Sequence, residues 1–484
     1  MLSALFVAAL AATTLLLPSR RIATDSNELP TNSGEAQRDR QLDVSQERAE
    51  SGDNRPNVIL ITVDTLRADF LGCYGHPNPT SPAVDRFAGE SLLFQNCYAH
   101  APVTSSSCAS ILSGFLPHET AVYGNLPLPS EVETLPEILR QQGYTTVGVV
   151  SNINLTASRG WSQGFDLFDD TMDDREATRG LPERVAERVT ERAIELLEEY
   201  RDERMFLWIH YQDPHGPYTP PDDFGERFRN SSREPRHLPV NESISGYGGI
   251  PDYQRLGTST DYYFYVSQYE GEIRYFDEHF GRLIDGLKRC GLYDDSVIVF
   301  TADHGEGMGE HDYYFAHGEN LLSTVTRVPL ILKHGKKQQG VRTDFVQHLD
   351  IVPTIFRVLA MKVEDRFRGR DLRGPVEANK EILVEKELMA IGRGRSNMYS
   401  LLLDGLELSY VPLFGRYQLF DLKVDPYQQT DLIYDPDFQE RIADLKVRLE
   451  RLRGENLLGR QIVNRPHKLS DEERRKLRSL GYVQ

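Results

Sequence analysis

From residue 56 onward, short runs of apolar residues alternate with longer segments in which apolar residues recur every three or four positions. Continuous apolar runs predict buried strands, and they lie at 58–63, 145–150, 206–209, 297–301 and 329–332. The periodic segments 182–200 and 266–289 predict amphipathic helices. Apolar strands that alternate with such helices indicate a parallel sheet covered on both faces. The predicted fold class is therefore α/β, with a large, mostly parallel sheet sandwiched by helices.

The pattern changes near residue 375. Short segments after this point resemble antiparallel strands, and they lie at 382–384, 399–403, 408–411 and 417–421. A helix is expected over roughly 436–452. We therefore predict a catalytic domain over 56–375, a small antiparallel α+β subdomain over 376–460, and a charged tail over 461–484 with a short helix at 470–479.

The N-terminal residues differ in character from the rest of the chain. Residues 2–17 form an uncharged apolar run, which suits a signal-peptide core better than a full membrane span. Arg20 and Arg21 follow the run and none precede it, so whether it is cleaved stays open. We predict a signal peptide or N-terminal anchor over 1–21, a polar flexible linker over 22–55, and an extracytoplasmic location.

Charge and cysteine content narrow the range of functions. The net charge of −18 argues against nucleic acid as a partner. An anionic substrate would then need a local positive field, which a bound metal ion supplies. The four cysteines show no CxxC spacing, so neither a zinc knuckle nor a disulfide framework is indicated, although one or two disulfides stay open.

Candidate chemistry collects where three predicted strands end. Asp64 follows the first strand, His210 and His215 follow the third, and Asp303 and His304 follow the fourth, in a glycine-rich turn. Because ligands bind at the carboxyl ends of parallel strands, these side chains are expected at one edge. Carboxylate and imidazole groups together are typical of a divalent-metal site. For the Asp303-His304 turn alone, the alternative is an acidic surface turn with an unrelated histidine.

A hydroxyl-rich segment, APVTSSSCASILSGFLP at 101–117, lies between the first two strands. Residues 109–112 begin a predicted helix, and Thr104 stands at or just before its N-terminus. Helix capping is the structural alternative, because Thr and Ser oxygens accept hydrogen bonds from the free amides there. A helix N-terminus also favours an anion, and a hydroxyl beside a cation can attack a phosphoryl or sulfuryl centre. Thr104 is therefore a candidate nucleophile.

Eight segments, in this order, resemble the sulfatase-like branch of the alkaline phosphatase superfamily over roughly 56–435. They are PNVILITVDTLRAD (56–69), SPAVDRFAGES (81–91), PVTSSSCASILSG (102–114), WIHYQDPHGPY (208–218), YEGEIRYFDEHFGRLIDGL (269–287), TADHGEGMGEH with a following HG (301–318), RVPLIL (327–332) and LFDLKVDPYQQTDL (419–432). The resemblance implies an alkaline phosphatase-like fold, which agrees with the sheet predicted above.

The resemblance also implies roles for individual residues. Asp64, Asp303 and His304 match metal ligands, and Thr104 matches the nucleophile, whose oxygen also faces the metal. His215, in its DPH motif, matches a residue that contacts the transferred group or protonates the leaving oxygen. A sixth match is His317, which falls where the family places a basic residue that touches the same oxygens.

Other residues near these motifs receive weaker assignments. His210 is interpreted as a structural residue of its strand, and His311 as a surface histidine that closes the glycine turn. Asp213 and Lys333 stay unassigned. The Asp213-Pro214-His215 loop lacks the Asp-x-x-x-His pair of the two-zinc members, so one divalent ion (zinc, manganese or calcium) is expected.

Two departures from the family pattern bear on the chemistry. Sulfatases carry C/S-x-P-S-R and convert its first residue to formylglycine, whereas this chain has Thr104 through Cys108, TSSSC, at those positions. Threonine cannot be converted by that route, and the arginine is replaced by Cys108. The first strand ends in Asp64-Thr65 rather than in two aspartates. A threonine alkoxide resembles instead the phosphodiesterases and phosphoethanolamine transferases of the superfamily.

The function expected from these residues is metal-dependent cleavage of an anionic ester, with a phosphate ester favoured and a sulfate ester as the alternative. The substrate is expected to be a small molecule or a glycan or lipid ester. An alternative of another class is a binding protein that kept the fold but lost catalysis. Retention of Asp64, Asp303, His304, His215 and His317 argues against that alternative.

Overall fold

The structure, a computed structural model, describes residues 54–176, 180–335, 338–375, 380–390 and 394–462. The predicted N-terminal segment 1–21, nearly all of the linker 22–55, and the tail from 463 onward, including the helix at 470–479, lie outside these residues. The expectations for those segments therefore stay predictions. In the part of the chain that is described, none of the helices has the length and apolar character needed to cross a membrane.

Strands and helices alternate through the larger part of the protein. The strands are β1 (Asn57–Val63), β2 (Leu92–Tyr98), β3 (Thr145–Val150), β4 (Leu167–Asp169), β5 (Asp174–Arg175), β6 (Pro182–Glu183), β7 (Met205–Tyr211), β8 (Ser296–Ala302), β9 (Gly307–Met308), β10 (Tyr314–Ala316), β11 (Arg327–His334) and β12 (Gly340–Gln347). The helices are α1 (Pro82–Gly89), α2 (Thr104–Ser113), α3 (Pro117–Thr120), α4 (Leu135–Gln141), α5 (Ala186–Glu199), α6 (Tyr262–Arg289), α7 (Ser323–Thr326) and α8 (Ile351–Val358).

Eight of these strands form one sheet in the order β12-β2-β11-β8-β1-β7-β3-β4. Strands β8, β1, β7, β3 and β4 run parallel to one another. Strand β11 pairs antiparallel with both neighbours, β8 and β2. The prediction of a mostly parallel sheet is confirmed. The apolar run at 329–332 is a strand, as expected, but its reversed direction sends its carboxyl end to the opposite edge.

Helices cover the sheet because its central strands are apolar along their whole length. Every residue of β1, β7 and β8 is buried, which requires cover on both faces. Helix α5 packs along α6, and α2 packs against α8. The helix predicted over 182–200 begins only at Ala186, because Pro182–Glu183 pairs with β5 as a short strand.

The smaller subdomain has the predicted antiparallel architecture. Strands β13 (Glu381–Ala390), β14 (Gly394–Leu403), β15 (Leu406–Val411) and β16 (Arg416–Asp421) pair in sequence order. Helix α9 (Gln439–Gly454) packs its leucines on this sheet.

Strand β13 joins the subdomain to the larger sheet. The Glu385 amide donates to the His100 carbonyl at 2.9 Å, and His118 Nδ1 lies 2.7 Å from Glu385 Oε1. All four cysteines are free thiols, so the disulfides left open by the sequence are not formed.

Candidate active site

Backbone hydrogen bonds join the ends of the three central strands. The Asp64 amide, just after β1, donates to the Tyr211 carbonyl at the end of β7 at 2.9 Å. The Asp303 amide, just after β8, donates to the Val63 carbonyl at 3.2 Å. These bonds continue the pairing of the sheet by one residue, so the side chains that follow each strand emerge beside one another.

Two carboxylates and two imidazoles meet at this edge. His210 Nε2 lies 3.6 Å from Asp64 Oδ2. His304 Nε2 lies 3.7 Å from Asp64 Oδ1 and 3.5 Å from Asp303 Oδ2. One donor atom each from Asp64, His210 and Asp303 lies within 4.8 Å of the others. The sequence prediction that the strand ends form one cluster is therefore met in the geometry.

The atoms that face into this cluster lack hydrogen bonds. Asp64 Oδ1, Asp303 Oδ2, His210 Nε2 and His304 Nε2 are buried without a hydrogen-bond partner among the described residues. The other nitrogen of each ring is engaged, since His210 Nδ1 lies 2.8 Å from Thr62 Oγ1 and His304 Nδ1 lies 3.0 Å from the Gly305 carbonyl. Buried polar atoms without partners are rare. These four atoms therefore fit the donor set of a divalent metal ion.

The turn after β8 is shaped by close backbone contacts. A Cβ on Gly305 would stand 2.2 Å from the Thr324 carbonyl oxygen, so only glycine fits. Gly309 adopts φ +105°, in the left-handed region that side chains other than glycine rarely occupy. Asp303 Oδ1 accepts from the His304 amide at 2.7 Å and the Thr65 amide at 3.2 Å. The turn thus orients one carboxylate oxygen and leaves the other for the cluster.

Neighbouring charges shift the pKa values of the two carboxyl groups in opposite directions. Burial disfavours the Asp64 carboxylate, but His215, His210 and His304 outweigh it and hold the pKa of Asp64 below its ordinary value. Burial and the charge of Asp64 raise the pKa of Asp303 to about 6, against the opposing charge of His304. Two carboxylates in one buried site therefore repel each other, and positive charge is what the site lacks.

Thr104 is the first residue of helix α2, and its hydroxyl is buried without a hydrogen-bond partner among the described residues. The N-cap is Val103, whose side chain cannot cap. Capping by Thr104, the structural alternative, is therefore not what the structure contains. One turn later, Ser107 Oγ donates to the Asp303 carbonyl at 2.6 Å. This bond ties the start of α2 to the strand end that carries Asp303 and His304.

His215 and His317 complete the site. The His317 ring centroid lies 4.5 Å from that of His304 and 5.2 Å from that of His215. Glu306 Oε1 lies 3.2 Å from His317 Nδ1 and holds the ring. Burial and the charge of His304 lower the pKa of His317 to about 3, so its ring is neutral near pH 7. Gly318, the next residue, packs against Val103, which brings this loop to the start of α2.

Three residues with weaker assignments lie elsewhere. Lys333 is carried by the antiparallel strand β11 to the opposite edge, where its Nζ lies 3.4 Å from Asp294 Oδ1, beside a cavity of about 490 Å³. His311 is exposed, as the sequence suggested, with Nε2 2.9 Å from the Tyr427 carbonyl. Asp213 is buried, and it is not among the three residues whose donor atoms converge at the strand ends.

Residues that the sequence did not single out also belong to the site. Asn152 Nδ2 donates to Asp64 Oδ2 at 2.6 Å. It lies two residues after β3, at the same edge, so a search of every strand end would have found it. Glu306 lies inside the glycine-rich turn, and no sequence pattern predicted a role for it. The interpretation of His210 as a structural residue is incomplete, because its ring both bonds Thr62 and faces Asp64.

Comparison with known proteins agrees with this geometry. The model of the family described as Sulfatase matches residues 56–361. An ulvan-active sulfatase of Formosa agariphila is 26% identical, with 86% of this chain and 84% of that protein covered. A choline-sulfatase of Rhizobium meliloti is 26% identical, with 79% and 83% covered.

A solved structure shares the fold at lower identity. The phosphonate monoester hydrolase of Agrobacterium radiobacter superposes with a TM-score of 0.68 at 21% identity, covering 82% of this chain and 95% of that one. The comparison with this structure therefore shows a common fold.

Proposed function

Because the chain belongs to the sulfatase family and is an ester hydrolase of that family, we propose that it cleaves a phosphorus ester with Thr104 as nucleophile. The observation that carries this proposal is the buried Thr104 hydroxyl, which begins α2 and has no hydrogen-bond partner among the described residues. Helix amides and dipole at this position favour an anionic oxygen and an anionic substrate.

The family is metal-dependent, and donor atoms of Asp64, Asp303 and His210 converge at the strand ends. His304 Nε2 lies 3.7 Å from Asp64 Oδ1 and 3.5 Å from Asp303 Oδ2, so the four residues fit one divalent ion. We propose zinc or manganese rather than calcium, because two imidazoles suit these metals and calcium prefers oxygen ligands. When bound, the ion would supply positive charge that favours the threonine alkoxide and neutralises the substrate anion.

The chain's own residues divide the remaining tasks. Thr104 loses its hydroxyl proton to solvent, and its Oγ1 attacks the phosphorus in line. The new P–O bond makes a covalent ester as the bond to the leaving alcohol breaks. His215 donates a proton to the leaving oxygen. His317 is neutral and held by Glu306, so it binds the transferred oxygens through a hydrogen bond without titrating near pH 7. Water then attacks the phosphorus and gives a proton to His215, the bond to Thr104 Oγ1 breaks, and Thr104 regains its proton from solvent.

A sulfate ester is the second candidate, and the names of the sequence relatives favour it. Against it stands the substitution at the nucleophile, since threonine cannot become formylglycine. The phosphonate monoester hydrolase that shares the fold supports phosphorus chemistry on this scaffold.

Hydrolysis of p-nitrophenyl phosphate, bis(p-nitrophenyl) phosphate and p-nitrophenyl sulfate tests the proposal. We expect phosphorus esters to be turned over faster than the sulfate ester. Thr104→Ala should lower kcat on the order of a thousandfold or more. The matched control is Ser106→Ala on the same helix, because the Ser106 hydroxyl already donates to the Gly124 carbonyl at 3.0 Å. Faster sulfate turnover, or activity that survives Thr104→Ala, would contradict the proposal.

A further inference from the structure

A lysine from the small subdomain lies next to the residue that follows His317. Lys386, on strand β13, is half-buried, and its Nζ lies 3.9 Å from the position that a Cβ on Gly318 would take. Gly318 directly follows His317, which touches the site, and precedes Glu319. Lys386 therefore lies close to His317, and its charge is one of those that lower the pKa of the His317 ring.

Hydrogen bonds from neighbouring residues of β13 fix the position of the backbone at Lys386. The neighbouring Glu385 accepts from the His118 amide and donates its own amide to the His100 carbonyl. His100 Nδ1 in turn lies 2.6 Å from the Leu383 carbonyl. Residues 383 and 385 are thus both tied to the larger sheet, so Lys386 is presented from a fixed strand rather than from a loop.

The ammonium of Lys386 has no hydrogen bond or ion pair with any residue in the described ranges. Glu319 is the carboxylate whose charge acts most strongly on Lys386, and it already accepts a hydrogen bond from the Gly246 amide at 3.1 Å. Burial lowers the pKa of Lys386 to about 8, against the charges of Glu319 and Glu387. A half-buried cation without a partner is costly, and an anion that binds beside it offsets that cost.

We propose that Lys386 binds a second negative charge on the alcohol part of the substrate, so that the preferred substrate is an ester whose alcohol carries its own anionic group. This inference rests on the proposed function and narrows its substrate class. The ester being cleaved is already served by the cluster, His215 and His317, whereas Lys386, on a strand of the small subdomain, is not one of these residues and lies beside Gly318. The chain carries a net charge of −18, so a local cation beside His317 also favours the binding of an anion there.

The test compares matched ester pairs, the 4-nitrophenyl and 3-carboxy-4-nitrophenyl phosphates and the corresponding sulfates. We expect the wild type to prefer the carboxylated ester. Lys386→Met should lower kcat/KM for that ester about tenfold or more, mainly through KM, and change the plain ester by no more than about twofold. Lys386→Arg should restore the preference, and Lys423→Met, an exposed lysine of the same subdomain, should leave both esters unchanged.

Thermal unfolding confirms that each variant is folded, and Lys386→Gln replaces the methionine variant if that one is not. Equal activity of the wild type on both members of a pair would overturn the inference, as would an equal loss on both in Lys386→Met. Those outcomes leave the proposed function standing. A wild type that hydrolyses none of the four esters would also overturn this inference, and it would remove the proposed function as well only if bis(p-nitrophenyl) phosphate is not cleaved either.

Discussion

Helices α1 and α2 both begin at buried N-termini, but their surroundings differ. At the start of α1, Asp277 from α6 accepts hydrogen bonds from the Ala83 and Val84 amides at 2.8 to 2.9 Å. At the start of α2, the only side-chain oxygen that accepts from one of the first amides, among the described residues, is Asn125 Oδ1, at 3.3 Å from the Ser105 nitrogen. The amides of the first N-terminus are paired with a buried carboxylate, whereas those of the second have one weaker side-chain acceptor among the described residues.

The same contrast separates the buried carboxyl groups. Burial raises the pKa of both Asp277 and Asp303 to about 6, so burial alone does not distinguish them. Both oxygens of Asp277 accept from amides, whereas Asp303 Oδ2 has no hydrogen-bond partner among the described residues. A partnered group contributes to stability, and an unpartnered one indicates a binding site. Four substitutions test this distinction, from the largest expected effect to the smallest.

Asp303→Asn should lower kcat on the order of a thousandfold and abolish binding of the metal ion. The free energy of unfolding of the metal-free protein should not fall, because the change relieves repulsion with Asp64. Steady-state kinetics, elemental analysis and denaturant unfolding in the presence of a chelator measure the three quantities. A variant that retains stoichiometric metal and full activity would contradict the interpretation of the unpartnered Asp303 carboxylate as part of a binding site.

Asp277→Asn should produce the opposite pattern. Asp277 Oδ2 accepts from the Ala83 amide at 2.9 Å, so an amide nitrogen in its place would set two buried donors against each other at the start of α1. We expect this to cost about 1–3 kcal/mol in unfolding free energy. Activity per folded molecule should be unchanged. Urea unfolding and active-site titration check this pair of expectations, and a loss of activity at full stability would contradict them.

The pH dependence of stability tests whether the His118–Glu385 pair, a partnered buried pair, stabilises the protein. The carboxylate of Glu385 overcomes burial and raises the pKa of His118 to about 9, above the ordinary 6.5. Because the folded pKa is raised, the stability this pair contributes is present below pH 6.5 and lost as pH rises through about 9. We expect about 2–3 kcal/mol over that range. In His118→Gln the slope of unfolding free energy against pH should flatten there, and an unchanged slope would exclude the pair as its source.

His311→Ala should have the smallest effect. The ring is exposed, and its Nε2 lies 2.9 Å from the Tyr427 carbonyl and 3.5 Å from Gln429 Nε2. Unfolding free energy should therefore change by no more than about 0.5 kcal/mol. Metal content and kcat should equal those of the wild type. A large loss of either would mean that the glycine turn extends the site to its surface, and the boundary drawn around the cluster would then be wrong.

Much of the fold was predictable because the central strands are apolar on both faces. Strands β1, β3, β7 and β8 follow from continuous runs such as VILITV. Strand β12, GVRTDFVQ, was not recognised, because it lies at the edge of the sheet and is partly exposed. The reversed direction of β11 was also invisible, since an apolar run has the same pattern in either direction.

The sequence by itself determined which residues stand at strand ends, namely Asp64, Asp303 and His304, and which hydroxyl begins α2. These are local facts, set by hydrophobic runs and by the residue that follows each of them. Only the tertiary structure decided that His210 turns its ring toward Asp64, that Lys333 lies at the far edge, and that Lys386, from another sheet, lies beside Gly318. Such contacts depend on strand order, strand direction and packing between distant segments, none of which a local pattern encodes.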